Sequence, residues 1–238
     1  MTLHTSMQNR GTLGETAYRK IRDDIISLRL QPGQMVYENE LASALGMSRT
    51  PVREALLALQ REEFIEILPQ RGARVAYISE KKVEEARALR EILEIHGFNW
   101  VAEAWDQRSD LFREAGRKID EILRRQEEAS ETGDYITFLD LDEAFHQAIL
   151  ELTNNATLVS IVTQLRGHLK RMRYLELKEA LNMQTVVGQH RDIFDAVRSS
   201  DANRATSLLR HHFRQLQYSI PQIVDKYSRY FVRKSEFR

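Results

Sequence analysis

Three histidines and one aspartate are the residues of this chain best suited to chemistry. Asp142 and His146 lie four apart in a helical pattern, so they project from one face a turn apart. Phe138, Phe145 and Ile149 share that face, which sets the pair within an apolar stripe. His190 accompanies Val186, Val187, Ile193, Phe194 and Val197 on the apolar side of a second pattern. His212 accompanies Leu208, Leu209, Leu216 and Ile223 on that of a third. Buried polar groups have to be paired, and three imidazoles with a carboxylate in one helical core form a ligand set for a divalent cation. A lone core histidine is ordinarily explained by a hydrogen bond to a neighbour, and His4, His96, His168 and His211 are read so, or as exposed. Four such groups on the inner faces of three helices favour a metal. Zinc, nickel, iron and manganese all suit this set, with zinc slightly ahead.

A second group of residues suits a different task. Ser48-Arg49-Thr50-Pro51 opens a helical pattern, Arg53 follows a turn later, and Arg71-Gly72 sits at a hairpin-like turn. Arg49 and Arg53 are about 40° apart around the helix axis. Val52, Ala55, Leu56 and Leu59 take the opposite, buried side. The arginine fork binds guanine O6 and N7, or clasps a phosphate. In a helix-turn-helix the second helix enters the major groove and its first residues meet base edges. Ser48, Arg49, Thr50 and Arg53 are therefore the candidate DNA contacts. Arg71 and Gly72 join them at the tip of a wing, where glycine permits close approach.

The elements that must position these residues follow from periodicity and punctuation. Glu15–Leu30 is an amphipathic helix with Ala17, Ile21, Ile25 and Leu28 on one side, stopped by Pro32-Gly33. A short helix over Asn39–Leu45 ends at Gly46, and Ser48 is a natural N-cap for the next, which runs to about Glu62. Phe64–Ile67 and Arg74–Ile78 read as two strands around the turn. From Ser79 onward the pattern is helical throughout, with helices expected over 80–105, 109–130, 134–152, 156–177, 184–199 and 202–230. Breaks fall at Asp106–Ser109, Thr132-Gly133, Asn154-Asn155, Lys178–Asn182 and Ser200-Asp201. The fold class is mainly α: an N-terminal winged helix-turn-helix over 11–78 and an all-helical antiparallel bundle over 79–232.

Composition narrows the function classes. The chain has 238 residues, equal numbers of basic and acidic side chains, and no cysteine. Disulfides and thiolate chemistry are thereby excluded, and the absence of a long apolar run or an apolar signal core points to a cytoplasmic protein without a membrane partner. Residues 1–78 hold ten Lys/Arg against nine Asp/Glu, so any grip on DNA depends on where a few arginines sit. No HExxH, nucleophile elbow or nucleotide loop is present, which argues against an enzyme.

Specific stretches carry a resemblance. Residues 15–78 are similar to the DNA-binding domain of the GntR family of bacterial transcription regulators. The similarity is carried by Leu30-Gln31-Pro32-Gly33, Glu40-Leu41-Ala42, the run Leu45 to Leu56, and Pro69-Gln70-Arg71-Gly72. It implies that Arg49, Thr50, Arg53 and Gly72 touch operator DNA. Some members carry an arginine just before the Glu-Leu pair, where this chain has Asn39. Residues 79–230 resemble the all-helical effector domain of the FadR-type subfamily, called FCD. In its metal-binding members an Asp-x3-His helix is joined by one histidine from each of two later helices. Asp142, His146, His190 and His212 match that order, although Gln189 replaces a Glu often found before the second histidine.

The resemblance implies a small organic acid on the metal, and a six-coordinate ion has two positions left for it. Arg90, Asn155, Arg171 and Arg173 are candidate partners for the acid, with Arg90 first among them. The expectation is a homodimeric repressor on a palindromic operator, modulated by that acid. The alternatives are a metal that is structural or is itself the signal and, more remotely, a metal-dependent hydrolase fused to a DNA-binding module.

Overall fold

The computed structural model describes residues 12–179 and 183–232, leaving out the side chains of 168 and 215–217. His4, Gly11, the side chains of His168 and Leu216, and the break at 180–182 lie outside the described residues. The chain divides into two compact units between Ala76 and Tyr77.

The first unit is three helices and a small sheet. Helix α1 (Leu13–Ile26) opens on a reciprocal cap, in which Glu15 N–H donates to Thr12 Oγ1 and Thr12 N–H donates to Glu15 Oε2. It ends four residues before the expected Leu30. The Ser27 hydroxyl bonds back to Asp23 O, and Leu28 takes a left-handed φ of 60°, so the helix stops well before Pro32. Strand β1 (Met35–Val36) precedes α2 (Glu38–Leu45) and α3 (Arg49–Arg61). Gly46 between the two helices has φ 63°, the left-handed stop that lets α3 leave at a new angle. Strands β2 (Ile65–Leu68) and β3 (Gly72–Val75) form the wing. The expected second strand, Arg74–Ile78, thus lies two residues too late at its start and three too late at its end. The sheet order is β1-β3-β2, with Leu68 paired to Gly72 at the tip and Val36 paired to Ala73. Ala17, Ile21, Ile25, Val52, Leu59, Phe64 and Val75 are fully buried and join helices to sheet.

The second unit is a bundle of six long helices: α4 (Glu80–Ala104), α5 (Asp110–Thr132), α6 (Tyr135–Glu151), α7 (Ala156–Glu179), α8 (Met183–Arg198) and α9 (Ala202–Lys226). Their ends carry local chemistry that stops and starts helices. Gly133 closes α5 with φ 70°, Asp134 caps α6 through Thr137 N–H, and Asp201 caps α9 through Arg204 N–H. Helix α4 packs against α7 and α9, and α5 packs against α6 and α8. The last helix ends at Lys226, short of the expected 230. A 3-10 turn (Ser228–Tyr230) follows and brings the chain back to Ile78, whose N–H donates to Tyr230 O at 2.9 Å while Val232 N–H donates to Ile78 O at 3.0 Å. Among the described residues no helix is long and apolar enough to cross a membrane.

Candidate metal centre and nucleic-acid interface

Three helices of the bundle supply polar groups to one point. Helix α6 brings Asp142 and His146, α8 brings His190 and α9 brings His212, all buried. Their potential ligand atoms lie within 4.8 Å of one another. The rings pack on one another and on phenylalanine: Phe145 stacks on His190 with centroids 4.3 Å apart, and His146 and His212 both lie against Phe213.

Each imidazole has a polar oxygen behind its Nδ1, hydrogen-bonded at His190 and His212 and in ion-pair contact at His146. His146 Nδ1 is 2.6 Å from Glu94 Oε2, His190 Nδ1 is 2.8 Å from Gln126 Oε1, and His212 Nδ1 is 2.9 Å from Gln189 Oε1. Such outer partners fix which nitrogen carries the proton and how the ring is turned. The Nε2 atoms of His146 and His190 are buried with no hydrogen-bond partner among the described residues, and the close approach of Glu94 Oε2 to His146 Nδ1 is an ion-pair contact without hydrogen-bond alignment. Orphaned buried nitrogens are costly, and a cation in the cluster removes that cost. Protonation states agree. Burial pushes His190 down to about 3 and holds His146 and His212 below the ordinary imidazole value, so the rings are neutral with lone pairs available. Burial also works to raise Asp142, but the Arg173 guanidinium beside it holds its carboxyl well below the usual range. Three neutral imidazoles and an ionised carboxylate fit a divalent metal.

Charge around the cluster is organised in two ion-paired groups. Arg173 Nη2 donates to Asp142 Oδ1 at 3.1 Å and its Nη1 to Glu176 Oε2 at 2.7 Å, while Ser219 Oγ donates to Glu176 Oε1 at 2.8 Å. On the other side Arg90 Nε donates to Glu94 Oε1 at 2.6 Å. A small cavity beside the cluster is lined by Arg87, Arg90 and Arg173, by Asp142 and His212, and by Leu169 and Phe213. Arg90 and Arg173 therefore stand at the cavity. Arg171 is buried, with burial pushing it down to about 10, but is not among the lining residues. Asn155 is exposed and its Oδ1 accepts from Leu158 N–H at 3.0 Å at the start of α7.

Glu94, Gln126 and Arg87 were not singled out in the sequence. Their signal was available: each is a polar residue in an otherwise buried helical stripe, Gln126 with Ile119, Ile122, Leu123 and Ala129, and Glu94 one turn from Phe98.

The first unit presents the other set. Ser48, Arg49, Thr50 and Arg53 are exposed at the start of α3, and Arg71 and Gly72 are exposed at the wing tip. Ser48 is the N-cap residue, yet its hydroxyl makes no capping bond. A concave surface runs between them, lined by Tyr37, Glu38, Arg49, Arg53, Gln70 and Gly72 among others. Glu38, at the start of α2, faces both arginines, with Oε2 3.3 Å from Arg49 Nη2 and Oε1 4.0 Å from Arg53 Nε. Gly72 has φ 98°, and a Cβ there would stand 2.9 Å from the Tyr37 ring. Only glycine lets the wing close down on β1 in this way.

Comparison with known proteins agrees with both halves. The gntR family of bacterial regulatory proteins matches residues 13–75 and the FCD domain matches residues 85–215, more than half of the chain. A relative from Streptomyces ambofaciens, described as an uncharacterized HTH-type transcriptional regulator in an unstable DNA locus, is 34% identical over 87% of this chain and 84% of its own length. The HTH-type transcriptional repressor RspR of Escherichia coli is 27% identical over 97% of this chain and 99% of its own. The solved structure of E. coli McbR/YncC shares the fold, with a TM-score of 0.72 at 22% identity, covering 89% of this chain and 98% of that one. These relatives regulate transcription and are not enzymes. The chain belongs to the gntR family of bacterial transcriptional regulators, with a helix-turn-helix DNA-binding domain followed by an FCD domain.

Proposed function

We propose that this regulator is a metal-containing repressor whose hold on a palindromic operator is modulated by a small carboxylate bound at the metal. Asp142, His146, His190 and His212 hold the ion, with zinc slightly ahead of nickel, iron and manganese. When bound, the ion supplies a Lewis-acidic anchor for a carboxylate oxygen. The observation that supports this reading most is the cavity. Arg87, Arg90 and Arg173 line it together with two of the candidate ligands, Asp142 and His212, and its volume of about 10 Å³ is room for one water, so a carboxylate enters only when these side chains move apart and then meets guanidinium and metal at once. Arg90 and Arg173 orient the acid, and Asn155 and Arg171, which do not line the cavity, act on structure.

Ser48, Arg49, Thr50 and Arg53 read base edges and phosphates from the major groove, and Arg71 and Gly72 approach the adjoining backbone or minor groove. A homodimer places two such helices on half-sites related by two-fold symmetry. The DNA-binding part spans 11–78 and the effector part 79–232, with almost no linker between them. The protein acts in the cytoplasm, where its operator is.

Footprinting on DNA flanking the gene tests the reading. Wild type is expected to protect a palindromic site, and the Arg49→Ala/Arg53→Ala variant to lose it. Equal protection by both, or no sequence preference, contradicts it. Carboxylates that alter operator affinity only in metal-loaded protein separate this account from a purely structural metal.

A further inference from the structure

Glu94 lies in the middle of α4, and its side chain is wholly buried. Its Oε1 accepts from Arg90 Nε at 2.6 Å and stands 3.5 Å from Arg166 Nη2. Its Oε2 is 2.6 Å from His146 Nδ1. The contact is an ion-pair approach without hydrogen-bond alignment, yet a carboxylate oxygen this close to an unprotonated ring nitrogen is repulsive, so Nδ1 is the nitrogen that carries the proton of the neutral ring. Nε2 of the same ring, buried without a hydrogen-bond partner among the described residues, is left as the electron-pair donor for the cluster. His190 and His212 are backed by the neutral amides of Gln126 and Gln189. His146 alone has a carboxylate behind it.

We infer that Glu94 is the positioning residue of the metal centre: it selects the Nδ1–H tautomer of His146, places negative charge behind that ligand, and ties Arg90 to the cavity wall with the same carboxylate. The inference rests on the metal reading above. Arg90 and Glu94 are one turn apart on α4, so a single helical turn joins the cavity to the ring. A carboxylate behind a ligating imidazole raises its basicity and pins its orientation, and loss of such a partner typically weakens metal binding about 10–100-fold.

Two measurements test this. Long-range 1H–15N correlation spectra of metal-free wild type read the tautomer without any substitution. Nδ1 protonated and Nε2 unprotonated on His146 is expected, and the reverse overturns the inference. Co2+ affinity, measured by competition with a chromophoric chelator, is expected to fall about 10–100-fold in Glu94→Gln. The glutamine keeps an acceptor of similar size but no charge. A Glu94→Gln protein that is less stable yet binds Co2+ as wild type does would make Glu94 structural only and overturn the inference. Asp142→Ala serves as the reference. If it too binds Co2+ like wild type, the four-ligand centre fails and this inference with it. If it loses Co2+ while Glu94→Gln does not, only the role of Glu94 fails.

Discussion

Glu38 Oε2 stands 3.3 Å from Arg49 Nη2, so the carboxylate that opens α2 is paired with the exposed arginine that begins α3. The arginine is two-thirds exposed, and such a surface pair contributes on the order of 0–1 kcal/mol to stability. Its importance lies in binding. A neutral first domain has little general attraction for phosphate, and a carboxylate beside both arginines lowers it further.

Replacing Glu38 by Gln is therefore expected to raise affinity for random duplex DNA more than for the operator, narrowing the ratio between them. Arg49→Ala and Arg53→Ala are each expected to cost about 1–3 kcal/mol on the operator if they meet base edges. Equilibrium binding on both DNAs at several salt concentrations distinguishes base reading from phosphate contact, since the latter weakens all sequences equally and lowers the salt dependence.

Gly72→Ala isolates the wing. At φ 98° and with the Tyr37 ring 2.9 Å from the new methyl, the tip has to shift. A loss of about 1 kcal/mol or more in stability of that domain is expected. Operator affinity should fall while metal content, measured by elemental mass spectrometry, stays at the wild-type level.

His190→Ala tests the centre from the other side. The substitution removes a buried ring stacked on Phe145 and one of the four candidate ligands. Metal content is expected to drop from one ion per chain to well below it. The cavity alone should cost about 2–4 kcal/mol in metal-free protein, read from urea denaturation.

Acid should destabilise the metal-free protein early. His190 is held at about 3 in the folded state, against an ordinary value of 6.5. Below about 6.5 the unfolded chain takes up a proton that the folded ring refuses, so stability falls as the pH drops, and continues to fall down to about 3. His146 and His212 are shifted in the same direction, mainly by burial, and add to the effect. Urea midpoints at pH 8, 6 and 5 check this. Metal-loaded protein is expected to keep its stability to lower pH, because the ion must be displaced before the rings are protonated.

Much of this architecture is legible in the chain because the bundle helices are long and their apolar residues recur with the helical period over many turns. Local hydrogen bonding hid the rest. Strand β1 is two residues long, too short for alternation to register. Helix α1 stops at Ser27 and Leu28 through a side-chain bond and a left-handed residue, which no periodicity reveals. The cluster residues stand out as polar side chains inside apolar stripes, and the same signal marks Glu94 and Gln126. What the pattern cannot disclose is which polar group meets which: Gln189 reads as a departure from a family motif, yet its amide oxygen lies 2.9 Å from His212 Nδ1.

The most direct test of the account is a titration of operator-bound protein with a panel of small mono- and dicarboxylates, in metal-loaded and metal-stripped forms, followed by fluorescence anisotropy of labelled DNA. The account expects at least one acid to release the operator from the metal-loaded wild type. The same acid should have no effect on stripped protein or on His190→Ala. Release that is equally strong without metal, or operator binding that no acid alters in either form, would contradict it.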